Sequence, residues 1–379
     1  MKVVIWGCRD GIYLYNQILE NPQNNYEVCY FGDNDKKYRN EKIDGIPVLD
    51  IEQLEERYYK ENIEAVIVAV RKGYSRFQIV RQLKEKEIDN IILVKPSPLT
   101  YRLPITFDVN NILYHKQWLN LKDNQKPLIH HLEVNIADGC NLNCKGCLHF
   151  SNLYNRNDFP DLDDLLTAIE CVSQNCEIFQ FRILGGEPLL NPEIENFLIK
   201  LRMILPNSDI AVISNGILIP RMNTSLFCKM KENYVGFNLT LYKPTLKMKD
   251  AIYNTLKMNE VAFGSHEVQT DKFEKFLMEN PNAIDRRTYE KCVPRGIFVI
   301  KDNCLYKCPM EAYIGKYCST YNVHFPEPCG INVFKIRDRW SEVIDELYMK
   351  PRELCQYCSD ESELYEWSNG KPEKEDWLI

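Results

Sequence analysis

The sequence predicts an α/β protein: two successive segments in which parallel strands alternate with helices, closed by a loop-rich, cysteine-rich end. Three observations predict it. Apolar runs of strand length alternate with amphipathic helical patterns over residues 1–97 and again from 132 to 241, as a parallel sheet with crossover helices requires. Prolines 96, 98 and 104 and the polar run Lys122 to Lys126 separate the two segments. Seven of the fifteen cysteines (Cys292, Cys304, Cys308, Cys318, Cys329, Cys355 and Cys358) fall in the last quarter, where loops dominate and staples are needed.

The first segment reads strand at VVIWG (3–7), YEVCYF (26–31), AVIVAV (65–70) and NIILV (90–94), with a helical face at Phe77, Val80 and Leu83 between the last two. Gly7 ends the first strand, and Gly11 opens a helix with Leu14, Tyr15, Ile18 and Leu19 along one face. A glycine turn feeding a helix N-terminus is a place for an anion. G-C-R-D-G, however, lacks the G-x-G-x-x-G spacing and sets Arg9 where the middle glycine would stand, which puts a working dinucleotide site in doubt. Gly32-Asp33-Asn34-Asp35 ends the second strand where a carboxylate could meet a ribose. A structural or docking role is favoured for this segment over binding of a nucleotide or nucleotide-sugar.

In the second segment Leu132 to Ile136 is a strand, Leu162, Leu165, Leu166 and Ile169 mark a helix, and Phe181 to Leu184 is the next strand. Asn191-Pro192 starts a helix whose stripe is Ile194, Phe197, Leu198, Leu201 and Leu205. Strands follow at Ile210 to Ser214 and Gly236 to Leu241. Beyond about residue 290, Trp340 to Met349 is helical, and the acidic end from Ser359, with two tryptophans, reads as a solvated or packed-down tail.

The totals narrow the function. A chain of 379 residues exceeds one ordinary core. Its net charge of -7 argues against a surface built for phosphate backbones, so no nucleic-acid partner is expected. No run approaches ~18 apolar residues and MKVVIWG lacks a signal-peptide layout, so neither a membrane nor export is expected and the location predicted is cytoplasmic. In a reducing compartment fifteen cysteines point to metal or cluster ligation rather than disulfides. Cys8, Cys29, Cys171, Cys176 and Cys228 stand alone and read mostly as small core residues.

Cys140, Cys144 and Cys147 lie within eight residues, spaced C-x3-C-x2-C, directly after a strand. Three thiolates leave a fourth position open: a zinc knuckle, or an iron-sulfur cube with one iron free to bind a ligand. The next strand ends in Gly185-Gly186-Glu187-Pro188, where glycines permit close approach to the backbone and the carboxylate can hold an ammonium. The one after ends in Ser214-Asn215-Gly216, and the one after that sets Asn238 and Thr240 on one face. Loops at the carboxyl ends of parallel strands share one mouth. Glu133, His149, His266 and Glu267 are able acids or bases without a partner at diagnostic spacing, and none is singled out as catalytic.

This series, C-x3-C-x2-C, then GGEP, then SNG, resembles the radical S-adenosylmethionine (SAM) superfamily. The resemblance implies an open partial (β/α)6 barrel in which Cys140, Cys144 and Cys147 hold a 4Fe-4S cluster chelated by SAM. It also implies that Gly185, Gly186 and Glu187 support the methionyl amine, that Ser214 and Asn215 lie near the ribose, and that Thr240 reaches the carboxylate. Gly146 departs from the pattern, since many members carry an aromatic residue just before the third cysteine; Phe150 or His149 would have to substitute.

The run from Cys292 to Met310 is similar to the entry of the SPASM and twitch auxiliary-cluster extensions, and with Cys308, Cys355 and Cys358 it implies a second 4Fe-4S cluster with no open iron. IWGCRDG, YFGDND and DGIPVLD resemble the Rossmann-like domain of bacterial sugar acyltransferases and polysaccharide proteins. The organisation expected is a Rossmann-like domain over 1–100, a linker over 101–128, the partial barrel over 129–290 and the auxiliary-cluster domain over 291–379.

The function these resemblances imply is reductive cleavage of SAM to a 5'-deoxyadenosyl radical, with hydrogen abstraction from a carbohydrate-related small molecule, oxidation assisted by the auxiliary cluster, and a flavodoxin- or ferredoxin-type reductant. The alternatives are cross-linking or epimerisation of a ribosomally made peptide and, from another class, a non-catalytic zinc-binding scaffold.

Overall fold

The computed structural model describes residues 1–21, 24–105, 117–266, 273–282, 289, 292 and 294–379. The chain forms two compact units, 1–126 and 127–379.

The first unit carries β1 (Lys2–Trp6), α1 (Cys8–Glu20), β2 (Glu27–Gly32), β3 (Lys42–Ile43), β4 (Ile46–Leu49), α2 (Ile51–Tyr58), β5 (Ala65–Val68), α3 (Gly73–Glu85), β6 (Ile91–Val94), α4 (Pro96–Tyr101) and β7 (Trp118–Asn120). The sheet order is β3-β4-β2-β1-β5-β6-β7, parallel except for β3 and β7 at its edges. Central strands covered on both faces must be apolar throughout, and Val3, Val4, Ile5, Val66, Ile67 and Val68 are all fully buried.

Leu14 and Ile18 of α1 pack on this core, whereas Leu19, read as part of the same stripe, is 63% exposed. The stripe is narrower than its apolar letters suggest. The short β3–β4 pair and α2, which starts from an Asp50/Gln53 capping box, lack a long apolar period and escape a reading based on one. β7 falls inside the stretch read as linker.

The second unit opens with β8 (Leu128–Ile129), then β9 (Leu132–Asn135), α5 (Leu162–Asn175), β10 (Glu177–Ile178), which pairs with β8, β11 (Gln180–Leu184), α6 (Ile194–Ile204), β12 (Asp209–Ser214), α7 (Thr224–Glu232) and β13 (Gly236–Thr240). It continues through α8 (Lys243–Leu246), α9 (Lys249–Met258), β14 (Phe263–His266), β15 (Phe273–Leu277), β16 (Phe298–Lys301), β17 (Cys304–Tyr306), a helix Pro309–Tyr321, β18 (Ile331–Asn332), a helix Trp340–Met349 and β19 (Cys358–Tyr365).

Its main sheet runs β14-β13-β12-β11-β9-β16-β17-β18. Six of these strands are mutually parallel, and the sixth, β16, lies beside β9 rather than beyond β14. The hairpin β16–β17 of the cysteine-rich end is therefore built into the barrel sheet.

Val134, Ile183, Val212, Phe237 and Leu239 are fully buried on one face. The alternate residues Glu133, Asn135, Leu184, Ile213, Asn238 and Thr240 share the other face, by the two-residue period and the strand register. Arg182, on that same face toward the amino ends, is closed off by its 2.7 Å ion pair with Asp209. Of the five solitary cysteines, Cys8 and Cys176 are buried, Cys29 and Cys171 are half-buried, and Cys228 is exposed on α7. The core reading thus holds for only two; the flanking apolar letters of the others belong to neighbouring faces. Among the described residues no helix is long and apolar enough to cross a membrane.

Candidate functional site

The three-cysteine loop leaves β9 and is held from below by the GGEP loop after β11. Gly186 N–H donates to Ala137 O (2.7 Å) and Glu187 N–H to Gly139 O (3.1 Å), so the two loops run backbone against backbone. A methyl on Gly185 (φ +150°) would sit 2.0 Å from Ala137 O, and one on Gly186 would sit 2.1 Å from Gly139 O. What these glycines admit is the cysteine loop itself.

Glu187 is fully buried, and its carboxylate accepts from Leu189 N–H (3.1 Å), Ser214 Oγ–H (2.8 Å) and Asn215 N–H (3.0 Å). Burial pushes this carboxyl up to about 7 against the three donors that pull it down. The side chain is thereby turned inward as a tie between the GGEP and SNG loops.

Asn215 extends the chain of contacts, its Nδ2–H donating to Asn141 Oδ1 (2.8 Å) and reaching toward Cys140 Sγ (3.8 Å). Ser214, Asn215 and the glycine pair are thus brought together around the cysteine loop. Thr240 stands half-buried at the end of β13, two residues from Asn238, whose buried Oδ1 has no hydrogen-bond partner.

Cys140, Cys144 and Cys147 pack together with Leu142, Ile217, Tyr242, Phe273 and Trp367. Burial and mutual repulsion push the Cys140 thiol up to about 12 and Cys144 higher still. Such a set can ionise together only around a cationic group, which fits an iron-sulfur cluster. Among the described residues no three His, Cys, Asp or Glu side chains gather tightly enough for a single metal ion; a cube of four irons holds its thiolates further apart.

The tail lies across this loop. Lys145 N–H donates to Ser368 O (3.0 Å), Gly370 N–H to Asn143 O (3.2 Å), Tyr365 Oη–H to Lys145 O (2.9 Å) and Trp377 Nε1–H to Cys147 O (2.8 Å). Gly146 (φ +66°) has no room for a side chain, because its Cβ would lie 1.9 Å from Tyr365 Oη and 2.6 Å from Asp376 O. Phe150 is buried against Trp377 and Tyr317, at 5.5 and 5.6 Å between ring centroids. His149 pairs with Asn135 Oδ1 (3.2 Å) and packs on Tyr313 (5.2 Å). Both rings pack against side chains of the helix Pro309–Tyr321, and Phe150 also against Trp377 of the tail. Sequence reasoning missed the strap formed by residues 365–377; its one local signal is the glycine at 146.

Glu133 has the partner its spacing did not reveal, His131, at 2.8 Å. His266 ends β14 opposite Thr240, and Glu267 lies outside the described residues.

Cys292, Cys308, Cys355 and Cys358 form the second group: Cys292 and Cys358 each act on Cys308, Cys292 and Cys355 on Cys358, and Cys355 on Cys292. Cationic side chains lie beside them. Lys307 and Arg295 are 3% and 5% exposed, and Arg352 presents buried Nε and Nη2 groups with no hydrogen-bond partner while its N–H donates to Cys355 Sγ (3.3 Å). Burial lowers Lys307 to about 8 even though Cys355 and Cys308 act to hold it up. Orphaned cationic donors beside four thiols fit an anionic, fully ligated cluster. Cys304 begins β17 near Lys335, Cys318 sits in the helix Pro309–Tyr321, and Cys329 is exposed.

In the first unit, Cys8 N–H at the start of α1 donates to Asp33 Oδ2 (2.8 Å), so a carboxylate of the chain already meets the helix N-terminus. A methyl on Gly7 would meet Val70 Cγ2 at 2.5 Å, which ties the glycine turn to packing.

Residues 134–258 match the radical SAM superfamily. The GTP 3',8-cyclase of Thermodesulfovibrio yellowstonii is 26% identical, the match covering 52% of this chain and 68% of the relative. That of Clostridium acetobutylicum is 31% identical over 35% of this chain and 44% of the relative, so the chain spans less than half of that protein. A solved structure described as native anSMEcpe with bound AdoMet is 23% identical, covering 37% of this chain and 44% of that one, with a TM-score of 0.29. Residues 134–258, which hold the three-cysteine loop, GGEP, SNG and the strands that carry them, are a radical SAM domain.

Proposed function

We propose that the chain is a radical SAM enzyme acting on a small, hydroxyl-rich, carbohydrate-related substrate. In this reading Cys140, Cys144 and Cys147 hold the SAM-binding 4Fe-4S cluster, and Cys292, Cys308, Cys355 and Cys358 hold a second, closed one. The observation that carries it is the packing of three cysteines in one cluster, Cys144 buried and Cys140 and Cys147 half-buried, against the GGEP and SNG loops, which are tied through Glu187. When bound, the clusters and SAM supply one-electron cleavage of the C5'–S bond, a 5'-deoxyadenosyl radical that takes hydrogen from an unactivated C–H, and an electron acceptor for net oxidation.

The chain's own residues orient and enclose. Gly185 and Gly186 bring two backbone loops into contact and would support the methionyl amine, while Glu187 ties the GGEP loop to the SNG loop beside them. Tyr242, Trp367 and Phe273 keep water from the thiols. Asn238 Oδ1, buried and unpartnered, is an acceptor for a ligand hydroxyl, with Thr240 next to it on the same face. The remaining polar groups of that face, Glu133 and Asn135 among them, suit a hydroxylated substrate better than an apolar one.

The name GTP 3',8-cyclase denotes relatives acting on a nucleotide, itself a sugar-bearing small molecule, which supports this class over a peptide. A flavodoxin- or ferredoxin-type protein is the expected reductant. The test is anaerobic incubation with candidate nucleotide-sugars deuterated at single ring positions, and with deuterated peptides for comparison. Deuterium from a sugar carbon should appear in 5'-deoxyadenosine; transfer only from peptides would overturn the substrate class.

A further inference from the structure

Trp367 is 6% exposed, and its Nε1–H is buried without a hydrogen-bond partner. A buried indole N–H ordinarily finds an acceptor, so an orphan marks a place where one arrives with a ligand or a change of charge. The ring cannot drift to find one elsewhere. It stacks on Tyr242 (centroids 5.7 Å apart, 26° between planes), and the residues after it are pinned to the cysteine loop through Ser368, the Cys144–Asn369 bridge and Gly370. The same ring packs in one buried cluster with Leu142 and Cys144, and the chain two residues on bridges to Cys144 itself. A ligand thiolate is a strong acceptor for such an N–H.

Gly146 shows that the strap carrying Trp367 is seated on the cysteine loop. At the position before the third cysteine the space a side chain would need is filled by Tyr365 Oη and Asp376 O of the strap.

We propose that Trp367 is a positioning residue for the SAM-binding cluster: its indole N–H donates to the Cys144 thiolate and raises the cluster's reduction potential, and the strap over residues 365–377 exists to hold it there. This rests on the assignment of Cys140, Cys144 and Cys147 as cluster ligands. The direction follows from charge, because reduction adds an electron to an anionic centre and a fixed donor on a ligand sulfur stabilises the added charge.

The test compares wild-type protein with Trp367→Phe and with a variant carrying benzothienylalanine at 367, which keeps the bicyclic ring and lacks the N–H. All are reconstituted anaerobically and assayed for iron and sulfide, and the cluster whose EPR signal responds to SAM is titrated potentiometrically. Both variants should keep the wild-type iron content, with the reduction equilibrium weakened roughly tenfold, a midpoint about 59 mV more negative. A midpoint unchanged in the benzothienyl variant overturns the proposal, as does loss of iron in Trp367→Phe together with wild-type behaviour of the benzothienyl protein, which would make the ring mere packing. Absence of any SAM-responsive signal in the wild type would instead remove the cluster assignment, and the proposal with it.

Discussion

At Gly185 a single methyl would collide with the carbonyl of Ala137, and the φ of +150° is itself costly for any other residue. Gly185→Ala should therefore lower stability by about 1–3 kcal/mol, read as a fall in the melting temperature, and should loosen the cysteine loop before the sheet. Glu187 gives a pH signature. Its folded value of about 7 lies above the ordinary 4.5, so its contribution to stability is full below about 4.5 and is lost as pH rises through 7. Denaturation of the metal-free protein should show the wild type losing roughly 3 kcal/mol relative to Glu187→Gln between pH 4.5 and 8; parallel pH profiles would contradict the burial argument. The identities of these residues were legible from spacing, since two glycines and a carboxylate after a strand announce a tight approach. Their partners were not. Sequence reading gave the glycines and Glu187 to a ligand; within the chain their contacts run to the backbone of Ala137 and Gly139 and to Ser214 and Asn215, which no local spacing announces.

The elements that were easiest to read are the ones whose burial enforces a period: α6 shows its full stripe, and the helix Trp340–Met349 falls where its apolar letters place it. Pairing over long sequence distance leaves no period to read. That is why β16 beside β9, the β15–β19 pair and the strap all emerged only in three dimensions. β19 runs from Cys358 in the second cysteine group to Tyr365 at the first, so one strand joins the two. Truncation after Tyr365 should leave the β15–β19 pairing intact and a folded unit, yet the first cluster should lose iron to a chelator several-fold faster than in the full chain. Equal rates would show that the strap is ornamental to the loop. Cys355→Ala should bind up to roughly four fewer irons and keep the SAM-responsive signal; unchanged iron would remove the second site.

The fold class was legible because alternation of strand and helix survives even where boundaries shift, and both units carry it. The two-unit division has a consequence of its own. Since 1–126 and 127–379 each hold a separate sheet, and the cysteine groups and both loops lie in the second, a protein restricted to 127–379 should retain the iron-sulfur absorbance and SAM cleavage, while any change in substrate preference would belong to the first unit. The central claim, that three thiols before GGEP and SNG make a SAM-cleaving centre, is tested most directly by one measurement: formation of 5'-deoxyadenosine after anaerobic reconstitution and addition of dithionite and SAM, in the wild type and in the Cys140→Ala, Cys144→Ala, Cys147→Ala triple variant. The wild type should yield 5'-deoxyadenosine and the triple variant none. A reconstituted wild type that yields none, or a triple variant that yields as much, would contradict the account.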